Sequence, residues 1–212
     1  CCTAFGEGYK VLAENATGRL VEMTLKVGQS DPPHDHPKHY MYFVEGGKLT
    51  ITDYTGGEKG EEKEVEIPAG APPIFPAGPH QVTNSGDVDV KVIFVEVTGE
   101  YGDVPEGMKS PCDTDPECYK ILAEDDDWFT GEMNMGAGTK DHPHGHRDHL
   151  LYVLEGDEVT IHNLAGDMSA LEGDAPPALM KVPLAAGAAM AVPAGHHWLE
   201  NTGSQNCKII FF

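Results

Sequence analysis

The chain carries 11 histidines, and eight fall into two sets with the same internal spacing: His34, His36, His39 and His80, then His144, His146, His149 and His197. Residues i and i+2 of a strand point to one face, so His34 and His36 can converge, as can His144 and His146. His39 lies three residues further on and rejoins that face only through a turn or bulge, to which Pro37 is suited. His80 comes from a distant segment, and the tight Pro76-Ala77-Gly78-Pro79 turn before it directs its approach. Neutral imidazoles gathered at one point form a donor set for a divalent transition metal. Without an ion, four packed imidazoles would be poorly satisfied. A lone histidine is usually ordinary core or surface, but recurrence of all four positions argues for ligands. His142, His162 and His196 have no histidine counterpart and read as exposed or supporting residues.

The recurrence reflects a tandem repeat. Tyr9-Lys10-Val11-Leu12-Ala13-Glu14 returns as Tyr119-Lys120-Ile121-Leu122-Ala123-Glu124, an offset of 110. From Tyr9 to Ile51, 18 of 43 positions are identical at that offset. The offset then becomes 117, which carries Pro76-Ala77-Gly78 to Pro193-Ala194-Gly195, His80 to His197 and Asn84 to Asn201. The seven extra residues of the second copy are placed within 163–181. Two domains are expected, 1–105 and 106–212, each of a size that can bury its own core.

Each copy reads as strands. Leu20 to Val27 alternates at period two, while Tyr40–Val44 and Val90–Val95 are rich in β-branched and aromatic residues. Turn signals such as Gly46-Gly47, Thr55-Gly56-Gly57 and Asn84-Ser85-Gly86-Asp87 separate the runs. At most one short helix is expected, around Ser169–Gly173. Many short strands at regular spacing predict an all-β fold of two barrels.

These residues resemble the cupin family, and specifically a two-domain bicupin. The first cupin motif is matched by Gly28…His34-Asp35-His36…His39…Gly46 and by Gly138…His144-Gly145-His146…His149…Gly156. The second is matched by Gly70…Pro76-Ala77-Gly78…His80…Asn84 and by Gly187…Pro193-Ala194-Gly195…His197…Asn201. The sequence departs from the family pattern where His39 and His149 stand in place of the usual Glu ligand. The resemblance implies double-stranded β-helix (jelly-roll) barrels, each holding one Fe, Mn, Ni, Cu or Zn ion. It also raises homodimerisation as a family-level expectation.

An all-imidazole set leaves a divalent ion its full charge and should attract an anionic or chelating small molecule. The expected activity is therefore a metal-dependent oxidoreductase of dioxygenase type. The alternatives are a non-redox lyase, isomerase or decarboxylase, and a non-enzymatic binding or storage module. With the family's Glu missing, Tyr42 and Tyr152 are weak candidates for a catalytic phenol, set against the commoner role of a barrel aromatic in the core.

Composition narrows the partners. Fourteen Lys and Arg against 35 Asp and Glu leave a formal charge of −21, which repels nucleic acid. The longest apolar stretch, Val182 to Gly195, is broken by Pro183 and Pro193 and too short to span a bilayer. The chain opens on Cys1 and Cys2 without an initiator Met, which reads as a processed or trimmed form. Cys112 and Cys118 are compatible with a local disulfide or with two thiols, so the compartment stays open, the cytoplasm favoured over export. Asp113, Asp115, Glu117 and the run Glu124–Asp127 read as a solvated acidic linker rather than a Ca²⁺ loop.

Overall fold

A computed structural model describes residues 8–100, 102, 106–163 and 180–212. The helix expected at 169–173 and nearly all of the segment assigned the seven extra residues lie outside them. The chain divides into two compact units, residues 1–100 and 101–212. The first contains β1 (Tyr9–Glu14), β2 (Gly18–Leu25), β3 (His34–His36), β4 (His39–Glu45), β5 (Gly47–Asp53), β6 (Glu62–Ile67), β7 (Ile74–Phe75), β8 (Gly78–Asn84) and β9 (Val90–Val97). They form two antiparallel sheets, ordered β1-β2-β9-β4-β7 and β3-β8-β5-β6.

The second unit begins with a single helical turn, α1 (Pro111–Thr114). It continues with β10 (Tyr119–Glu124), β11 (Phe129–Met135), β12 (His144–His146), β13 (His149–Glu155), β14 (Glu158–Asn163), β15 (Met180–Pro183), β16 (Ala189–Val192), β17 (Gly195–Glu200) and β18 (Cys207–Phe211). Its sheets, β10-β11-β18-β13-β16 and β12-β17-β14-β15, repeat the first unit's order strand for strand. Even the irregularities recur: the register slips after Phe43 in β4 and after Val153 in β13. The all-β, double-sheet barrel expected from the sequence is the fold observed. No helix among the described residues is long and apolar enough to cross a membrane.

Alternation explains the core. In the first unit, Val21, Met23, Met41, Phe43, Val92 and Phe94 project from one sheet onto Leu49 and Val82 of the other. In the second, Met133, Val153, Ile209 and Phe211 pack toward Val159. Each fully buried side chain of this size contributes roughly 1.5–3 kcal/mol, so burial of the facing sheets is the main stabilising term. Trp128 and the terminal Phe212 are buried, as core elements rather than exposed faces.

The glycines that open each motif are backbone devices. Gly28 and Gly138 have φ of 74° and 76°, a left-handed conformation that L side chains rarely adopt. The motif asparagines are structural as well. Asn84 donates from Nδ2 to the Leu25 and Val88 carbonyls and accepts from the Gly86 amide. Asn201 does the same with Met135, Gln205 and Gly203. Both are completely buried, as are Leu25 and Met135, so truncation strands the carbonyl of one of these two core residues. Asn84→Ala or Asn201→Ala should destabilise its barrel by about 1–3 kcal/mol for each group left unpaired. Urea unfolding checks this, and an unchanged midpoint would refute it.

Candidate metal centres

Each quartet is assembled by strand register. In the first unit His34 lies opposite His80 across the β3–β8 ladder, and His36 lies opposite Gly78. Residues 37–38 break the chain between β3 and β4, so His39 opens the facing sheet, opposite Phe75 on one side and Glu96 on the other. The four rings meet: centroids are 4.6 Å apart for His34–His36, 4.8 Å for His34–His80 and 4.8 Å for His36–His39. One ligand atom from each of His34, His36 and His80 can be chosen so that all lie within 4.8 Å of one another. His39 stands beside that trio, its centroid 6.3 Å from that of His80.

The donor chemistry fits a divalent transition metal. His34 Nδ1 donates to the Pro32 carbonyl (2.8 Å), His39 Nδ1 to Pro37 (3.0 Å) and His80 Nδ1 to Gly78 (3.1 Å). His36 Nδ1 donates instead to the carboxylate of Glu96 (2.7 Å). With each proton held on Nδ1, every Nε2 presents a lone pair, the arrangement that orients imidazole ligands. Burial, reinforced by the neighbouring His36, lowers His39 to about 4. Burial with His34 and His36 does the same to His80, at about 4. These two rings are therefore neutral at physiological pH, as a metal requires.

The second quartet has the same placement with its rings turned differently. His144 lies opposite His197, His146 opposite Gly195 and His149 opposite Val192. His144 Nδ1 donates to the His142 carbonyl (2.9 Å), and His149 Nδ1 to Arg147 (3.0 Å). His146 turns its Nδ1 to the Arg147 carbonyl (3.1 Å) and its Nε2 to His197 Nδ1 (3.3 Å). The His144–His146 centroids are 6.3 Å apart, against 4.6 Å for the matching pair in the first unit. Burial holds His144 and His149 at about 4, and burial with His146 and His144 lowers His197 to about 2.

Several supporting residues escape a reading that looks only for histidine. Tyr9 donates to Asp31 at 2.5 Å, and Asp31 also accepts the Val82 amide. The pair recurs as Tyr119 to Asp141 at 2.6 Å, with Asp141 accepting the Leu199 amide. Each carboxyl also approaches a quartet histidine, at 3.7 Å from His34 and 3.6 Å from His144. Burial raises Asp31 and pushes Asp141 up to about 7. Both members of the pair recur at the 110 offset, which was the available signal. Glu96 carried no such signal. Burial would raise its carboxyl, but the hydrogen bond from His36 and the nearby Arg19, at 3.5 Å, outweigh that and hold it below its ordinary value.

Other expectations are corrected. Tyr42 and Tyr152 alternate with the inward residues Met41, Phe43 and Leu151, so they lie on the opposite face of their strands, away from the quartets. The phenols beside the histidines are Tyr9 and Tyr119. Asp115 is buried rather than solvated, and its carboxylate accepts both the His142 amide and His142 Nδ1. That pairing fixes His142, whose carbonyl in turn holds His144. His162 is buried in a stack on Trp198, at 3.5 Å between centroids, and is not an exposed residue. Cys112, Cys118 and Cys207 are free thiols.

The two barrels differ most in the space before the histidines. The first encloses only about 40 Å³, because Phe75 stacks on His39 at 5.8 Å and Phe43 fills the interior. At the corresponding register positions the second barrel has Val192 and Val153. It holds a cavity of about 460 Å³, walled by Leu151, Met190, Val192, Leu199 and Phe211, with the quartet among its lining.

Residues 21–96 match the family model described as "Cupin domain". The matched segment lies in the first barrel, and the second barrel repeats its strand order. No curated protein sequence matches the chain. Among solved structures, an oxalate decarboxylase from Bacillus subtilis is 14% identical, with 93% of this chain and 69% of that one covered, at a TM-score of 0.59. A vicilin from Corylus avellana is 13% identical, covering 98% and 83%, also at 0.59. A 7S globulin from Momordica charantia is 11% identical, covering 92% and 72%, at 0.59. At such identities the likeness is one of fold.

Six quartet imidazoles have lowered pKa values: His39, His80, His144, His146, His149 and His197. As pH falls from 6.5 toward 4, the unfolded chain takes up protons that these rings refuse in the fold. Stability should fall through that window. Asp31, Asp141 and His142 act in the opposite sense, since folding raises all three, but three groups oppose six. Thermal unfolding of metal-free protein at stepped pH reads this directly. A flat profile across the window would contradict burial as neutral imidazoles.

Proposed function

We propose that this bicupin is a metal-dependent oxidoreductase of dioxygenase type, binding one ion per quartet and taking a small chelating substrate in its C-terminal barrel. The observation that carries the reading is the pairing of four histidines with an apolar cavity of about 460 Å³ in that barrel. Small-molecule sites span roughly 300–1,000 Å³. Residues His34, His36, His39 and His80 would hold one ion, and His144, His146, His149 and His197 the other. Fe, Mn, Ni, Cu and Zn all accept imidazole donors to differing degrees. A bound redox metal would supply the electron exchange with dioxygen that no side chain here provides.

The remaining work falls to the chain. Leu151, Met190, Val192 and Phe211 exclude water and bury the apolar body of a substrate, at about 25 cal/mol per Å². Tyr119 keeps its proton, because burial and the adjacent Asp141 carboxyl hold its pKa well above the ordinary phenol value. Its role is to position Asp141 and the strand that carries His144 rather than to exchange protons.

The acidic residues of the cavity select among substrates. Among the described residues, Asp113, Glu124, Asp125, Asp126 and Asp127 line it against the cation Arg147. With a formal chain charge of −21, that potential disfavours small polyanions and favours a neutral chelating diketone or phenol. A decarboxylase acting on a dianion, as the Bacillus subtilis likeness would suggest, meets this unfavourable field. A storage role leaves two buried, oriented quartets without a purpose.

Oxygen uptake by iron-loaded protein, screened over diketones and phenols, tests the proposal. Val192→Phe restores the aromatic that closes the first barrel. It should lower substrate-dependent uptake by about 100-fold while leaving the metal content unchanged. Consumption of a dicarboxylate without oxygen uptake would establish the decarboxylase alternative, and ligand binding without turnover would establish the binding module.

A further inference from the structure

We propose that Phe75 is the gate of the N-terminal barrel and limits an ion held by its quartet to ligands of diatomic size. The inference rests on the reading that this quartet holds metal, and it names what that centre admits and the residue that decides it. Three of the four imidazoles are faced by aromatic rings. Tyr9 meets His34 edge-on with centroids 5.7 Å apart, and Phe94 meets His36 edge-on at 5.3 Å. Phe75 lies over His39 at 5.8 Å with the planes 14° apart. Phe94 also stands 5.5 Å from His39, so that ring is held between two phenyl groups.

The space left inside this collar is about 40 Å³. A water molecule takes up about 30 Å³ of the liquid, so the interior has room for a water or a diatomic such as dioxygen beside the rings. An aromatic or bidentate organic ligand does not fit, since small-molecule sites begin at roughly 300 Å³.

Phe75 is the part of the collar that separates this space from solvent. Phe43 and Phe94 are 1% exposed and belong to the core, and Tyr9 is tied through its hydroxyl to Asp31. Phe75 is half-buried, in the two-residue strand β7 at the edge of its sheet, directly opposite His39. The backbone around it is pinned. The Met41 amide donates to the Pro73 carbonyl (3.1 Å) and the Phe43 amide to Ala71 (3.0 Å). Pro72 and Pro73 precede β7 and Pro76 follows it. Each proline fixes its own φ, and Pro76 keeps Phe75 extended. The ring is therefore a fixed plug, and shortening it opens the barrel without hollowing the core.

The test uses full-length protein loaded with Co²⁺ and follows its visible absorption as imidazole is added. His144→Ala combined with His149→Ala removes the C-terminal site, so that the remaining spectrum reports the N-terminal ion alone. Imidazole should leave that spectrum unaltered while Phe75 is in place. Phe75→Val puts at this register the residue that β16 carries opposite His149, and it should make the spectrum shift on imidazole at unchanged Co²⁺ content. Phe75→Tyr keeps the ring and should behave as Phe75 does. Nitric oxide on the same protein loaded with Fe²⁺, read by electron paramagnetic resonance, is the diatomic probe and should bind with Phe75 present. Imidazole binding at the N-terminal ion with Phe75 in place, no gain in Phe75→Val, or no binding of nitric oxide would each overturn the inference while leaving metal binding intact. Should Phe75→Val fail to fold, the imidazole and nitric oxide titrations with Phe75 in place still decide. Should the double histidine variant fail to fold, protein with both quartets intact decides, because imidazole must then spare the ion that His39→Ala removes. No uptake of Co²⁺ would overturn the metal reading itself.

Discussion

Everything in this molecule turns on keeping several imidazoles neutral, oriented and close together in a protein interior. A protonated ring buried beside another pays both desolvation and repulsion. Burial is therefore the first control, and it drives His39, His80, His144 and His149 to about 4. The second control is the Nδ1 proton. It is given to the carbonyls of Pro32, Pro37 and Gly78 in one barrel, and to those of His142 and Arg147 in the other. Those carbonyls belong to turns and to residues at strand ends. The prolines and glycines around the motifs thus serve the site through backbone geometry rather than contact.

Duplication preserved this scaffold and relaxed its contents. The two barrels share strand order, bulge positions, the buried Asn and the Tyr–Asp pair. They diverge where side chains meet the histidines. Phe43 and Phe75 become Val153 and Val192, and the interior grows from about 40 to about 460 Å³. Arg19 becomes Phe129, and His146 is held by the Arg147 carbonyl where His36 is held by Glu96.

Much of this was legible in the linear chain. Period-two alternation and turn residues predict the strands, because pleating and tight reversal are local physics. The eight histidines stand out because the repeat doubles the signal and separates ligand positions from drifting loops. Pro37 marks the break that returns His39 to the site. Where local reasoning went astray, the cause was facing. Tyr42 sits next to inward residues in sequence but projects to the other side of the sheet, while Tyr9, 25 residues before His34, packs against it. Asp115, in an acidic stretch, is buried by a partner 27 residues away.

By itself the sequence determined the repeated all-β architecture, the two histidine quartets and the acidic charge, since each follows from residue type and short-range spacing. Only the tertiary structure decided that Glu96 backs His36, that Asp31 and Asp141 tie a phenol to a strand, and that one barrel is filled while the other is hollow. Those features depend on side chains brought together across sheets from 22 to 60 residues apart. The volume left between two packed sheets is set by the sum of all the residues that face it, which spacing along the chain does not encode.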